Sequence, residues 1–314
     1  MSKASLLLAI LAAFAFESPA VLGQTSSWPP SPEHLTMPIW PGQAPGAPTD
    51  LPPEGNQTTA KDGTPAGRPV IRIGNVVKPT ITLYKAKDVS SPAPAVVVFP
   101  GGGYRILAID LEGTEVCDWL NSIGVNCVLL KYRVPNTGPY PKSAAALQDA
   151  QRAMGLVRQH AAEWGIDPNR VGVLGFSAGG HLSAAISNLY EKRLYDQVDD
   201  ADQLSCRPDF SVVVYPGYLA LADENFAPNP EIHPTEKTPL TFVVQAEDDP
   251  VHVENAIVYY RQLKDAKVPA ELHIYAQGGH GYGLRRTTLP VATWPQEVEK
   301  WLHTIQVLPA KAQR

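Results

Sequence analysis

Between Pro69 and Ile305 the apolar residues recur in two rhythms that take turns along the chain. Short β-branched or apolar runs, "APAVVVFP" from Ala93, "VNCVLLKYRV" from Val125, "RVGVLGF" from Arg170, "DFSVVVYPG" from Asp209, "PLTFVVQAEDD" from Pro239 and "AELHIYAQGG" from Ala270, predict buried strands. Between them the spacing shifts to the helical period. Helices are predicted in "EGTEVCDWLNSIG" ending at Gly124, in a long segment from Ser143 to Gly165, from Ala178 to about Tyr190, in "VENAIVYYRQLKDA" and in "PQEVEKWLHTI". Two earlier runs, "PVIRIGNV" and "PTITLYKA", predict strands of an antiparallel edge. Alternation of this kind implies a mainly parallel, twisted sheet with helices on both faces, joined by right-handed crossovers. Ligands bind such sheets beyond the carboxyl ends of the strands.

Ahead of Pro69 the rhythm is lost. Residues 24–69 are dense in Pro, Gly, Ser and Thr, and regular helix or sheet is not expected there. Within this arm "HLTMPIWPG" carries Met37, Ile39 and Trp40, too apolar for a linker, and is expected to lie against the domain surface. Residues 1–23 have Lys3, an apolar stretch from Leu6 to Phe16 and small or modest residues at Val21-Leu22-Gly23, as a secretory signal would. The apolar stretch is too short to span a bilayer, and Gln24 stands where a lipoprotein signal places cysteine. The expected organisation is a signal at 1–23, the arm at 24–69, a catalytic domain at 70–308 and a tail at 309–314. The expected product is secreted or periplasmic, without stable membrane insertion once the signal is removed.

Composition narrows the classes. At 314 residues and 44% hydrophobic the chain suits one large α/β domain. A net charge of -5 without a Lys/Arg-rich run argues against nucleic acid as a partner. Cys117, Cys127 and Cys206 make no disulfide framework. Cys117 falls on a helix and Cys127 in a strand, so buried thiols are the favoured reading, although an oxidising compartment permits one bridge with a thiol left over. No Cys/His spacing matches a metal site, and no organic cofactor is implied.

The small residues around one serine carry the chemistry. Gly175-Phe176-Ser177-Ala178-Gly179 fits G-x-S-x-G where a buried strand runs into a helix, a turn so sharp that only small side chains fit two positions either side of the serine. A serine hydroxyl becomes a nucleophile when a base takes its proton. With the base and its acid following the serine, His280 in "AQGGHGYGL" fits best, with His233 and His252 as weaker rivals. Glu247, Asp248 and Asp249 end the preceding strand. Asp249 is favoured because Pro250-Val251 turns the chain into the next helix, and Asp248 is the alternative. Oxyanion donors are expected from the amide of Ala178 and from Gly102 and Gly103, in the glycine loop after an earlier strand. A phosphate loop is disfavoured there, since no lysine and Ser/Thr follow. Tyr104, Tyr215 and Tyr282 are expected as aromatic walls of a substrate pocket suited to sugar rings or an aryl acyl group.

Four stretches, Phe99–Pro135, Tyr140–Ala184, Gln245–Ala256 and Gly278–Leu284, together with "MPIWPGQAPGA" in the arm, resemble secreted bacterial α/β-hydrolases of the acetyl-xylan/feruloyl esterase type, the BD-FAE group, related to hormone-sensitive-lipase esterases. The resemblance runs from about Met37 to Leu302. It implies the α/β-hydrolase fold and a serine esterase acting on acetyl, and in some members feruloyl, esters of small-molecule or oligosaccharide substrates. The family roles carry over to Ser177, Asp249 and His280, with Gly102, Gly103 and Ala178 at the oxyanion. Lipase relatives have histidine before the three glycines, whereas Pro100 stands here, as in the xylan-esterase type. Glu112, Arg133, Gln148 and Asp149 match family positions and are read as scaffold that sets the glycine loop and strand ends. The alternatives are a prolyl-oligopeptidase-like peptidase, for which no gating domain fits before Pro69, and a non-catalytic carbohydrate-binding protein on the same scaffold.

Overall fold

The β-branched runs assemble into one eight-stranded sheet in a computed structural model that describes residues 28–310 apart from 137 and 139. The signal-like residues 1–23 and the last four residues lie outside the described residues. In chain order the strands are β1 (Leu35–Pro38), β2 (Thr80–Tyr84), β3 (Ala93–Phe99), β4 (Asn126–Lys131), β5 (Ile166–Phe176), β6 (Phe210–Val214), β7 (Leu240–Ala246) and β8 (Ala270–Tyr275). Their spatial order is β1-β2-β4-β3-β5-β6-β7-β8, with β1 and β2 antiparallel and the rest parallel. Strands β3 and β4 are buried along their whole length, which is why they read as continuous apolar runs without alternation.

The helices are α1 (Glu115–Ser122), α2 (Ala144–Gln159), α3 (Ala161–Trp164), α4 (Ala178–Asn188), α5 (Glu254–Asp265) and α6 (Trp294–Thr304). Trp119 of α1 meets Trp294 of α6 edge-on at 5.6 Å, while α2 packs on α4. The single long helix expected from Ser143 to Gly165 is broken at His160, and α3 ends at Gly165, whose φ of +70 suits a residue without a Cβ. Among the described residues no helix is long and apolar enough to cross a membrane.

Three other expectations are corrected. The proline-rich arm does form sheet. Thr36 pairs with Thr82 and Met37 with Ile81, so β1 becomes the outer strand beside β2, and Ile39 and Trp40 just beyond it are buried. "PVIRIGNV" joins no main-sheet edge. Its Arg72–Gly74 segment pairs instead with Gly55–Asn56 and Ile106–Ala108 in a small separate sheet. Cys117 and Cys127 are not free thiols. The helix and strand that carry them pack together with their Cα atoms 5.1 Å apart, and the two are disulfide-bonded. Cys206 is free and buried. A bond of this kind stabilises a chain by about 2–4 kcal/mol.

The winding places the site. From β3 the chain moves to β4 on one side, then crosses back over β3 to β5 on the other. The carboxyl ends of β3 and β5 therefore flank a topological switch point, with Phe99 beside Gly175 in register.

Candidate active site

Ser177 occupies the first residue after β5 and directly precedes α4, with φ 53 and ψ -116. A non-glycine residue in that region costs on the order of 1–3 kcal/mol and persists only when its surroundings hold it. Here the Ser177 amide donates to the Val214 carbonyl at 3.0 Å, and its own carbonyl accepts from His181 at 3.0 Å and Gly217 at 3.3 Å. The flanking glycines have a steric cause. A Cβ on Gly175 would sit 1.9 Å from the Gly179 carbonyl oxygen, and one on Gly179 would sit 2.0 Å from that of Phe99.

Two later loops bring their groups to this serine. The His280 Nε2 lies 2.9 Å from Ser177 Oγ, and its Nδ1 lies 2.8 Å from Asp249 Oδ2. The Asp249 side chain is fully buried and also accepts from the Val251 amide at 2.7 Å and from Gln245 Nε2 at 3.1 Å. Those bonds fix the carboxylate against the imidazole, leaving Nε2 to face the hydroxyl. Asp248, the sequence alternative, does something else. Its Oδ1 accepts from the amides of Gly278 and Gly279 at 2.9 and 2.7 Å, anchoring the loop that carries His280. His233 and His252 make no bond to Ser177.

The glycine loop leaves β3 beside the serine. Gly101 is wedged there, for a Cβ on it would meet the Phe176 carbonyl, the Glu112 carboxylate and the Ser177 Cβ within 2.9 Å. Its amide donates to Glu112 Oε2 at 2.7 Å, so the next donors along the loop are Gly102 and Gly103. Gly102, at φ +131, turns back so tightly that a Cβ would lie 2.2 Å from the Ile106 carbonyl oxygen. Ala178, at the first turn of α4, has an amide without an intrahelical acceptor, at the end where the helix dipole favours negative charge.

The three tyrosines expected to wall the pocket do not wall it. Tyr104 and Tyr215 have no exposed surface and Tyr282 is buried. Tyr104, Tyr215 and Tyr218 all have positive φ. The Tyr104 hydroxyl is 2.8 Å from His181 Nδ1, and the Tyr215 hydroxyl donates to Glu112 Oε1 at 2.8 Å. The Tyr215 ring packs edge-on to both His280 and Tyr282, at 5.0 and 4.5 Å. The tyrosine that does reach open space is Tyr218, whose hydroxyl is 3.8 Å from where a Gly103 Cβ would be. With Gly217, Asp223, Phe226, Val251 and His252 it lines a cleft of about 420 Å³. Two further clefts are about 600 Å³ beside Trp40 and about 540 Å³ beside Trp119 and Arg285. None of the three clefts is lined by Ser177, Asp249 or His280. The Tyr218 cleft includes Gly217, whose amide donates to the Ser177 carbonyl, and Val251, whose amide donates to Asp249. That link, rather than volume, makes it the candidate for substrate.

Burial sets the charge states around the site. It pulls His181 from 6.5 down to about 3, leaving a neutral ring. It also pushes the Glu112 carboxyl above its ordinary value, against the Tyr215 hydrogen bond, the nearby His280 and the Gly101 amide, which all pull it back. Arg133, Gln148 and Asp149 form the expected scaffold, with Arg133 Nε 2.9 Å from Asp149 Oδ1 and Arg133 Nη2 2.9 Å from Gln148. Among the described residues no three His, Cys, Asp or Glu side chains converge as metal ligands would.

Comparison with known proteins adds the lineage. The BD-FAE family model matches residues 81–246. An acetylxylan esterase of Xylanibacter ruminicola is 32% identical over 67% of this chain and 45% of its own length. Endo-1,4-beta-xylanase B of Butyrivibrio fibrisolvens is 29% identical over 59% of this chain and 32% of its own. The chain thus spans less than half the length of these curated relatives. A crystal structure of an acetyl ester-xyloside bifunctional hydrolase from Caldicellulosiruptor lactoaceticus is 35% identical with a TM-score of 0.66, covering 87% of this chain and 97% of that one. With a strand–serine–helix turn at the head of a mostly parallel sheet, and a family model spanning more than half its length, the chain belongs to the BD-FAE family of α/β-hydrolases.

Proposed function

We propose that this protein is an exported serine carboxylesterase that removes acetyl groups, and as a second acyl class feruloyl groups, from hemicellulose-type carbohydrates. One observation carries the reading: the imidazole of His280 lies within hydrogen-bond distance of Ser177 Oγ on one side and Asp249 on the other. In the reaction His280 Nε2 takes the Ser177 proton as Oγ attacks the ester carbonyl. The carbonyl oxygen gains negative charge opposite the amides of Gly102, Gly103 and Ala178, donors worth roughly 3 kcal/mol each. Collapse breaks the ester bond, and the sugar hydroxyl leaves with the proton from Nε2. Water then gives a proton to the same nitrogen as its oxygen attacks the acyl carbon. Collapse breaks the acyl–Oγ bond, with Nε2 returning the proton to Ser177 Oγ as the carboxylic acid leaves.

The carbohydrate part of the reading is supported by the likeness to an acetylxylan esterase and to an acetyl ester-xyloside hydrolase, and by the cleft lined by Gly217 and Tyr218. Phe226 and Tyr218 offer aromatic faces there and Asp223 a carboxylate, the combination that sugar rings use. Export is supported by the signal-like pattern of residues 1–23 and by the Cys117–Cys127 bond, which persists in an oxidising compartment.

The test is a substrate panel of acetylated xylan, p-nitrophenyl acetate, methyl ferulate and pectin with the released acids quantified, alongside fluorophosphonate labelling. Acetate release from the first two, with label on Ser177, is expected. Folded protein that releases no acid and takes no label overturns the reading.

A further inference from the structure

Among the described residues four acidic residues are buried, backbone and side chain together, and three of them face a basic side chain. Asp149 is paired with Arg133 at 2.8 Å, Asp110 with Arg285 at 3.1 Å and Asp249 with His280 at 2.8 Å. Glu112, only 4% exposed, has no ion pair. Burying an ionised carboxylate without a counter-charge is costly, so its retention needs a reason.

Its surroundings supply one. Glu112 sits in a wide π-helical turn, Asp110–Thr114, every residue of which is buried. Such turns are rare and recur at functional sites. One carboxyl oxygen accepts from the Gly101 amide at 2.7 Å and the other from the Tyr215 hydroxyl at 2.8 Å. The Tyr215 oxygen in turn accepts from the Gly283 amide at 3.2 Å, three residues past His280. One side chain therefore ties together the glycine loop after β3, the end of β6 and the histidine loop after β8. Both oxygens act as acceptors, which suits the ionised form.

We propose that Glu112 is a positioning residue whose charge is held in reserve for the His280 imidazolium that forms during turnover, and whose two hydrogen bonds keep the oxyanion loop and the histidine loop in register. This rests on the esterase reading above. Asp249 meets the imidazole directly through Nδ1, while Glu112 acts across the Tyr215 ring, which packs against His280. Other ionisable groups near Glu112 do not substitute for that cation. Asp110 carries the same sign and is already matched by Arg285, and the Tyr132 and Tyr215 hydroxyls are held neutral by burial.

The experiment compares wild type, Glu112→Gln and Tyr215→Phe on p-nitrophenyl acetate from about pH 5 to 9, with urea unfolding of each. Glu112→Gln keeps the shape and removes the charge. Its kcat is expected to fall about tenfold or more with KM within about twofold, and the acid limb of kcat/KM to move down by about half a pH unit. Its urea midpoint is expected to be no lower than wild type, because an unpaired buried charge has been taken away. A purely structural glutamate would lower the midpoint and leave the acid limb where it was. Tyr215→Phe cuts the link and leaves the charge, so kcat falls and the acid limb stays in place. Glu112→Gln with wild-type kcat and an unmoved limb overturns the inference. If that variant does not fold, Tyr215→Phe with wild-type kcat overturns it. A wild type unlabelled at Ser177 removes the esterase reading and this inference together, whereas a labelled wild type beside an unaffected Glu112→Gln removes the inference alone.

Discussion

The buried polar networks around Asp149 and around Ser177 differ in what completes them. Around Asp149 everything is matched at rest. Trp40 Nε1 donates at 2.8 Å, Arg133 gives it both a side-chain and a backbone bond at 2.9 Å, and Arg133 also reaches Gln148 and the Ala145 carbonyl. That cluster fastens the arm to α2 and the end of β4. Around Ser177 two carboxylates, Asp249 on the His280 imidazole and Glu112 behind the Tyr215 ring, share no fixed cation. On the proposed mechanism the matching charge forms only when the imidazole takes the serine proton. A saturated network holds the fold together. The unsaturated one keeps its strongest interactions for the moment of reaction.

The two can be separated by substitution. Ser177→Ala is expected to lower kcat on p-nitrophenyl acetate by about a millionfold while the urea midpoint stays near wild type. Asp149→Ala is expected to do the reverse. It leaves the Arg133 guanidinium buried without a counter-charge, costing about 3–5 kcal/mol of stability by urea unfolding, with kcat of the folded fraction near wild type. An Asp149→Ala protein that keeps its stability but loses kcat would erase the distinction.

A smaller effect sharpens it from the histidine side. His181 lies in the core with Nδ1 on the Tyr104 hydroxyl, no partner for Nε2 and no carboxylate beside it. Burial holds it down at about 3 against 6.5, so the folded protein keeps it neutral while the unfolded chain takes up a proton. The sign follows: its contribution is whole above about 6.5 and is lost as pH falls toward 3, with a slope approaching about 1.4 kcal/mol per pH unit. His181→Gln is expected to flatten the fall in urea midpoint between about pH 6.5 and pH 4.5. An unchanged fall would mean that burial alone does not decide the charge of a histidine here.

What was legible from the residues, and what was not, follows the same physics. The turn at Ser177 could be read because its steric demand is written in residue identity, glycine at 175 and 179. The strand ends could be read from β-branched runs, so the loops bearing Asp249 and His280 fell in the right order. The arm strand β1 was hidden because Pro38 and its neighbours suggest irregular chain, whereas an outer strand tolerates proline where no ladder donor is needed. The Cys117–Cys127 bond was hidden because pairing depends on how a helix packs against a strand, which the ten-residue separation does not state. The tyrosines were misplaced because an aromatic at a strand end can turn up into a pocket or down beneath a loop. Hydrogen bonds from Tyr104 to His181 and from Tyr215 to Glu112, partners far off in the chain, go with the buried placement, and nothing in the local pattern encodes them. Glu112 could be placed in the scaffold, but its lack of a cation became visible only when every other buried acid had found one.

The position of β1 has a consequence for solubility. By pairing with β2 it covers a row of backbone donors and acceptors between Thr80 and Leu83 that would otherwise face water, and it ends at a proline that offers no N–H of its own. A chain shortened past Pro38 would bare that ladder and give a second molecule a template for strand addition. The proline-rich arm thus moves the open edge of the sheet from β2 to a four-residue strand that ends in proline.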